Sequence, residues 1–321
     1  MKVIDHLQKA KKTLFSFELL PPLKGHSIES IYSTINPLIE YNPSFINITY
    51  HQEDIIYRKH ESGLIVSKTR KRPGTVAISA AIKYKYPSVD VVPHLICGGF
   101  TKEDTEYALI DFHYLGINNI LAVRGDPGGD PAKPKHHFLA EKNGHAYAAD
   151  LVKQIAQMNK GRYLDEYIVN TVATDFCVGV AGYPEKHIES SNQKSDLKYL
   201  KEKIDAGAEY IITQMFFDNQ KYFDFVKNCR NAGIMVPIIP GLKPISTLKD
   251  SKILPRVFYI DIPEELDNAI SKCKSNDEAF QVGIEWSIQQ SKELIEFGVP
   301  VLHYFSIGIS ENIRQIAKAV F

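Results

Sequence analysis

TKEDTEYALIDFHYLGINNILAVR, residues 101–124, contains one complete helix-then-strand unit and decides the fold class. Thr101 is a typical helix N-cap, and two acidic residues in the turn after it favour the positive end of a helix dipole. The predicted helix ends at Leu115, because Gly116 suits the left-handed position that follows many helices. The apolar run Asn118–Arg124 comes next and predicts a buried strand.

The same unit recurs along the chain. Eight runs are almost continuously hydrophobic, as parallel strands covered on both faces are: Thr13–Leu20, Ser44–Tyr50, Val89–Cys97, Asn118–Arg124, Asp175–Ala181, Glu209–Phe216, Met235–Pro240 and Pro300–Ser306. Eight strands alternating with helices predict an α/β fold, a single-domain (β/α)8 TIM barrel over residues 1–321. The alternative, an open doubly wound sheet, usually carries GxGxxG after its first strand, and neither that motif nor GxxxxGK[ST] occurs.

Composition excludes several classes of protein. Lys+Arg and Asp+Glu both number 38, so the formal charge is zero, which argues against a nucleic-acid or anionic-membrane surface. No apolar stretch approaches the roughly 20 residues of a membrane span, and the N-terminus shows no signal peptide. The cysteines, at positions 97, 177, 229 and 273, form no CxxC pair, as expected of buried thiols in a reducing compartment. We therefore expect a cytoplasmic protein.

Two predicted connections are unusually long for a compact domain. His51–Pro73 follows the second strand and carries a basic run, Lys68 to Arg72, which we interpret as a solvated loop rather than a phosphate site. Asp126–Asn143 follows the fourth strand, is rich in proline, glycine and lysine, and includes His136 and His137. Loops after strands lie on the catalytic face of a barrel, so the second connection is predicted to be a lid.

Polar side chains stand where the predicted strands end: Glu18, Thr49, Tyr50, His94, Arg124, Asp126, Tyr183, Glu185, His187 and Gln214. Any one of them could instead cap a helix or pair with a neighbour. Catalytic residues of barrels come from the C-terminal ends of several strands, so their shared placement favours one polar site.

Glu18 is the most informative of these residues. It lies in Phe15-Ser16-Phe17-Glu18-Leu19-Leu20-Pro21-Pro22, among aromatic residues, leucines and prolines. Desolvation disfavours a carboxylate, so we expect a raised pKa for Glu18, which suits a general acid. The alternative is a buried ion pair with an arginine, which would lower the pKa.

Arg124-Gly125-Asp126 places a cation and an anion two residues apart at a strand end, with a glycine that lets backbone approach a ligand. A metal site built from His94, His187, Asp126 and Asp196 is the alternative for this region. The first strand carries Phe15-Ser16-Phe17 in place of the HxH of many metal-dependent barrels, and no HExxH occurs, so no metal is expected.

These features together resemble a known family. The matching segments, in chain order, are FSFELLPP (15–22), NITY (47–50), PHLICGG (93–99), LAVRGDPGG (121–129), HAYAADLV (145–152), GVAGYPEKH (179–187), DAGAEYIITQMFFD (205–218), IIPGLKPIS (238–246) and GVPVLHYFS (298–306). They resemble the flavin-dependent methylenetetrahydrofolate reductases, of the bacterial MetF type, over nearly the whole chain.

The resemblance implies a (β/α)8 barrel with non-covalent FAD across the strand C-termini. It implies reduction of 5,10-methylenetetrahydrofolate to 5-methyltetrahydrofolate by NADH or NADPH, in a ping-pong sequence through FAD that feeds methionine synthesis. The implied partners are these small molecules and a second copy of the chain in a homo-oligomer, with neither nucleic acid nor membrane. No regulatory domain is expected after Phe321.

The resemblance also implies roles for single residues. Glu18 corresponds to the acid that protonates folate N10, Asp126 to a carboxylate that stabilises the resulting cation, and Gln214 to a glutamine that binds the pterin. The flavin contacts implied are Thr49, Tyr50, His94, Arg124, Gly125, Asp126, Tyr147, Ala148, Tyr183, His187, Asp196 and Lys203.

Some positions depart from the family pattern. Ile309 stands where an arginine helps to hold the folate glutamate tail, and Asp250 and Leu254 stand where a glutamine and an aromatic residue are frequent. Lys24 and Lys243 are the cations expected near the tail instead. The alternatives to a folate reductase are another flavin barrel, such as a proline dehydrogenase-like enzyme, and an inactive flavin- or folate-binding protein.

Overall fold

The computed structural model describes residues 1–60, 63–126 and 138–321. The strands are β1 (Leu14–Leu19), β2 (Phe45–Ile48), β3 (Asp54–His60), β4 (Gly63–Thr69), β5 (Asp90–Ile96), β6 (Asn119–Val123), β7 (Cys177–Gly182), β8 (Tyr210–Thr213), β9 (Ile238–Ile239), β10 (Gly241–Leu242) and β11 (Val301–Phe305). The helices are α1 (Val3–Lys9), α2 (Glu29–Ile35), α3 (Thr75–Lys85), α4 (Lys102–Tyr114), α5 (Ala148–Met158), α6 (Gln193–Asp205), α7 (Asn219–Asn231), α8 (Asp250–Phe258), α9 (Glu264–Lys272), α10 (Asn276–Phe297) and α11 (Glu311–Val320). Most of the predicted lid, including His136 and His137, lies outside the described residues.

Within these ranges nine strands form one parallel sheet, in the order β10-β11-β1-β2-β5-β6-β7-β8-β9. Its two end strands are consecutive in the chain and are separated only by Pro240, so the sheet closes on itself. Pro240 has no N–H for a ladder, but its carbonyl accepts the His303 N–H at 3.2 Å. The predicted (β/α)8 barrel is confirmed, with the seventh strand in two short pieces.

Side chains alternate across each strand, so the barrel has two apolar regions. Phe15, Phe17 and Leu19 of β1 point outward into the core shared with the helices. A second cluster fills the barrel interior and includes Phe45 and Tyr210. Helix α1 closes the N-terminal end of the barrel by packing against this second cluster.

Strands β7 and β8 are packed closely at one pair of residues. Gly179 lies directly opposite Tyr210 in the register, and a β-carbon at position 179 would collide with the Tyr210 ring. The ring itself is fully buried inside the barrel. Gly179 is therefore the residue that leaves room for a tyrosine at the centre of the barrel.

The long connection after β2 was expected to be a loop, but it contains a β-hairpin. Its strands β3 and β4 pair antiparallel, from Asp54 opposite Thr69 to His60 opposite Gly63. The solvated-loop interpretation of the basic run is also wrong in part, because the partly buried Arg72 donates from Nη1 to the Pro21 carbonyl.

The helix predicted between Thr101 and Gly116 is confirmed as α4, with Thr101 as its N-cap and Leu115 as its C-cap. The Thr101 hydroxyl accepts the Asp104 N–H at 3.0 Å, the Asp104 carboxylate accepts the Thr101 N–H at 3.0 Å, and Gly116 has φ +66°. Of the helices in the described ranges, none combines the length and the apolar character that crossing a membrane requires.

Candidate functional site

Glu18 is held at the C-terminal end of the barrel by side chains from two neighbouring strands. The Thr49 hydroxyl, just after β2, donates to Oε1 of Glu18 at 2.9 Å. His94 Nε2, on β5, lies 3.3 Å from Oε2 of the same carboxylate. All three residues were predicted at strand ends, and the structure brings them into contact.

Beneath Glu18 lies a histidine that the sequence analysis did not single out. His303 Nε2 is 3.9 Å from Glu18 Oε2, and its Nδ1 is 2.8 Å from the hydroxyl of Ser16. Both His303 and Ser16 are fully buried. Asn47 completes the layer, with its amide nitrogen 3.3 Å from His94 Nε2. We call Glu18, Thr49, His94, His303 and Ser16 the glutamate cluster.

Burial alone would raise the pKa of the Glu18 carboxyl. The adjacent imidazoles of His94 and His303 outweigh burial, and they hold the pKa of Glu18 well below its ordinary value. The raised pKa expected from the sequence is therefore wrong, and Glu18 rests as a carboxylate at neutral pH. Burial lowers the pKa of His303, so its ring rests neutral.

A second group of predicted residues lies at the ends of β6 and β7. Arg124 forms an ion pair with Glu189, with Nη1 2.6 Å from Oε2, and its guanidinium lies 4.9 Å from the centre of the Phe138 ring. Tyr183 and His187 make an edge-to-face contact with ring centroids 4.7 Å apart.

Asp196 and Lys203, both on α6, complete this group. Asp196 accepts the Ser190 hydroxyl at 2.7 Å and the backbone N–H of His187 at 3.3 Å. Lys203 donates from Nζ to the Ala181 carbonyl at 2.6 Å. Burial lowers the pKa of Lys203 to about 8. We call Arg124, Tyr183, His187, Glu189, Asp196 and Lys203 the arginine cluster.

Asp126 lies between the two clusters. Its carboxylate helps to raise the pKa of Tyr183, after the larger effect of burial. It also acts on His51, whose pKa is lowered by burial and by Arg72 and is raised in part by Asp126 and Glu18. The Asp126 carbonyl accepts the Gln52 amide N–H at 2.7 Å, which ties the loop after β2 to the loop after β6.

The other predicted residues lie near the mouth of the barrel in separate positions. Tyr50 meets Phe100 edge-to-face with centroids 5.1 Å apart. Tyr147 is 64% exposed and precedes Ala148, the first residue of α5. Gln214 follows β8, and its side-chain oxygen accepts the Met215 N–H at 3.0 Å. Gly125 adopts φ +86°, as a glycine can do without strain.

A metal centre receives no support from the geometry. Within the described ranges no three histidine, cysteine, aspartate or glutamate side chains group as metal ligands do. Instead, His94 faces Glu18, and the other residues of the proposed metal set belong to the arginine cluster or to Asp126.

The residues that sequence reasoning missed could have been found from strand register. Ser16 lies two residues before Glu18 on the same face of β1, and the register pairs Ser16 with His303 and Glu18 with Asn47. Glu189 had no comparable signal, since it lies in an irregular segment after β7.

The chain is similar in sequence to known proteins. A family model described as methylenetetrahydrofolate reductase matches residues 2–320. The Arabidopsis thaliana protein named methylenetetrahydrofolate reductase (NADH) 1 is 31% identical over 97% of this chain and 49% of its own length. The Salmonella typhimurium 5,10-methylenetetrahydrofolate reductase is 29% identical over 92% of this chain and 86% of its own length. The chain thus spans about half the length of the plant relative and most of the bacterial one.

A solved structure has a similar fold. It is described as an uncharacterized protein from Clostridium thermocellum that binds two copies of 5-methyl-5,6,7,8-tetrahydrofolic acid. The TM-score is 0.55 at 16% identity, and the match covers 99% of this chain and 97% of that one. At this level of identity the likeness shows the shared barrel alone.

Proposed function

The chain belongs to the methylenetetrahydrofolate reductase family, and from that premise we propose that it reduces 5,10-methylenetetrahydrofolate to 5-methyltetrahydrofolate. The electrons come from NADH or NADPH and pass through FAD in a ping-pong sequence. The observation that carries the proposal is the glutamate cluster, a carboxylate fixed by Thr49 and His94 at the catalytic end of a barrel.

The residues of the arginine cluster fit a flavin dinucleotide. The guanidinium of Arg124 after β6 and the partly buried ammonium of Lys203, which contacts the Ala181 carbonyl of β7, can balance the charge of a diphosphate. Gly125 brings backbone without a side chain to the same edge. When bound, FAD would accept a hydride from the nucleotide and donate a hydride to the folate. The residues that would hold it are Thr49, Tyr50, His94, Arg124, Gly125, Asp126, Tyr147, Ala148, Tyr183, His187, Asp196 and Lys203.

Glu18 delivers the proton that the reaction consumes. It rests as a carboxylate, so it takes up a proton in the folate complex and passes it to N10 of the substrate. Opening of the five-membered ring then leaves a cationic carbon–nitrogen bond that can receive hydride. Thr49 keeps the carboxyl oriented while this happens, because it is bonded to the oxygen that His94 does not face.

Asp126 and Gln214 complete the substrate site in this proposal. The Asp126 carboxylate favours the cation formed on ring opening, since opposite charges attract strongly in a site that excludes water. Gln214 binds the pterin through its amide. We place the reaction in the cytoplasm, where it supplies methyl groups for methionine synthesis, and we expect the active protein to be a homo-oligomer.

The test follows the colour of the flavin. Protein purified with FAD is expected to be yellow, to bleach with NADH or NADPH in the absence of oxygen, and to regain its colour when methylenetetrahydrofolate is added. Bleaching of the oxidised flavin by proline instead would favour the proline dehydrogenase-like alternative. A yellow protein that neither bleaches nor recovers would indicate an inactive binding protein.

A further inference from the structure

The His303 ring is fixed in place beneath Glu18. It stacks on Phe45 with centroids 6.1 Å apart and an interplanar angle of 19°, and it meets Phe305 edge-on with centroids 5.4 Å apart. Its Nδ1 lies 2.8 Å from Ser16 Oγ. The ring therefore presents Nε2 toward Glu18 in one fixed direction.

His303 Nε2 is a buried polar atom without a hydrogen-bond partner among the described residues. An unmet buried donor or acceptor costs about 1–3 kcal/mol, so such an atom in a native protein calls for a reason. Glu18 Oε2 lies 3.9 Å from this nitrogen, about 1 Å beyond hydrogen-bond distance. A small movement of the Glu18 carboxyl would complete the contact.

We propose that His303, held by Ser16, is a positioning residue that partners Glu18 in both protonation states of the carboxyl group; this rests on the proposed function. With Glu18 as a carboxylate, Nε2–H donates to Oε2 and Nδ1 accepts the Ser16 O–H. With Glu18 as a carboxylic acid, its O–H donates to Nε2 and Nδ1–H donates to Ser16 Oγ. A serine hydroxyl both donates and accepts, so it satisfies either tautomer.

The protons balance in this scheme. The acid state holds one proton more than the carboxylate state, and that proton is the one later given to folate. Burial disfavours an imidazolium at this position, so the ring stays neutral in both states and changes only its tautomer. His94 on β5 also acts on this carboxyl, and the carboxyl in turn acts on His51 after β2.

The direct test is the tautomer of His303, read by nitrogen-15 NMR of protein labelled at its 11 histidines. The His303 signals are assigned by their loss in His303→Phe. The wild-type ring is expected to carry its proton on Nε2. In Glu18→Gln, a neutral side chain that can donate, the proton is expected to move to Nδ1. The same tautomer in both proteins would overturn the proposal, whether or not the protein reduces folate.

Kinetics supply a second test with matched variants at Ser16. Ser16→Thr keeps the hydroxyl, whereas Ser16→Val has the same shape without it. We expect Ser16→Val and His303→Phe to slow flavin reoxidation by methylenetetrahydrofolate at least tenfold and to move its pH profile upward, because an N–H that favours the carboxylate is lost or misdirected. Ser16→Thr should keep the wild-type profile. Identical profiles for the two Ser16 variants would exclude this positioning role, and absence of folate turnover in the wild type would instead refute the proposed function.

Discussion

Arg124 is already paired in the structure, with its Nη1 2.6 Å from Oε2 of Glu189. The guanidinium proposed to balance a diphosphate therefore has a carboxylate competitor on the loop after β7. Bound dinucleotide must share or displace that partner. The interaction makes cofactor affinity depend on a residue that has no proposed contact with the cofactor.

Replacing Glu189 with glutamine should strengthen FAD binding. Removal of the competing charge frees Arg124, and a partly exposed pair is worth about 0.2–1 kcal/mol, so the Kd is expected to fall by up to about fivefold. Flavin fluorescence quenching during titration of the apoprotein measures this. Glu285→Gln, on the exposed face of α10, is the matched control and should leave the Kd unchanged. Weaker binding by Glu189→Gln would mean that Glu189 supports the site.

Glu18→Gln should separate the two half-reactions. Reduction of the flavin by NADH needs no acid at the folate, so its rate is expected to stay close to that of the wild type. Reoxidation by methylenetetrahydrofolate should slow by about 10²–10⁴-fold, as is typical for a lost general acid. Stopped-flow absorbance measures both rates on one sample. Equal slowing of the two steps would exclude the acid role.

Glu185 is expected to make stability depend on pH near neutrality. Its Oε2 accepts the Asp261 N–H at 2.8 Å, and burial together with the nearby Asp261 raises its pKa to about 7. The folded protein binds this proton more tightly than the unfolded chain, so stability falls as pH rises from the ordinary glutamate pKa through about 7. Glu185→Gln keeps the acceptor and removes the charge.

Urea unfolding of Glu185→Gln at pH 5 and pH 8 tests this. At pH 8 the variant should exceed the wild type by about 1 kcal/mol, a figure kept small because water screens a half-buried group. The advantage should shrink toward pH 5. Glu265→Gln, on the exposed surface of α9, should show no such trend, and an advantage of Glu185→Gln that is equal at both pH values would refute the titration.

Ile309→Arg should improve binding of the folate tail. Ile309 is 40% exposed in the loop after β11, a position from which a guanidinium can reach carboxylates at the mouth. We expect the folate KM to fall a few-fold with kcat nearly unchanged, the result of a contact made equally in the ground and transition states. Steady-state kinetics compare it with Ile309→Gln, which lacks the charge. A lower kcat in Ile309→Arg alone would show that the arginine interferes with the chemistry.

The barrel was predictable from sequence because hydrophobic runs and helix caps are local signals. The hairpin after β2 was missed even though β-branched residues occur in both β3 and β4, because these strands pair with each other and not with the barrel. The split of the seventh strand follows from Pro240, whose missing N–H interrupts any ladder.

The site was harder to predict because its contacts cross between strands. The apolar neighbours of Glu18 in sequence, Phe17 and Leu19, face the helices on the other side of β1, so they do not set its pKa. Its true surroundings come from β2, β5 and β11. The surroundings of Lys243 were also not predictable from its neighbours in sequence. This residue was expected near the folate tail, but it is buried and donates to the Pro244 carbonyl at 2.9 Å.

The tight fit of Gly179 against Tyr210 constrains how this barrel can change over evolutionary time. Any larger residue at 179 is blocked while the ring at 210 remains, whereas a smaller residue at 210 leaves a void that position 179 could later fill. The order of the two replacements is therefore fixed, with Tyr210 first, and the intermediate carries the instability of a cavity. We expect relatives to hold glycine with tyrosine at these positions or to have replaced both.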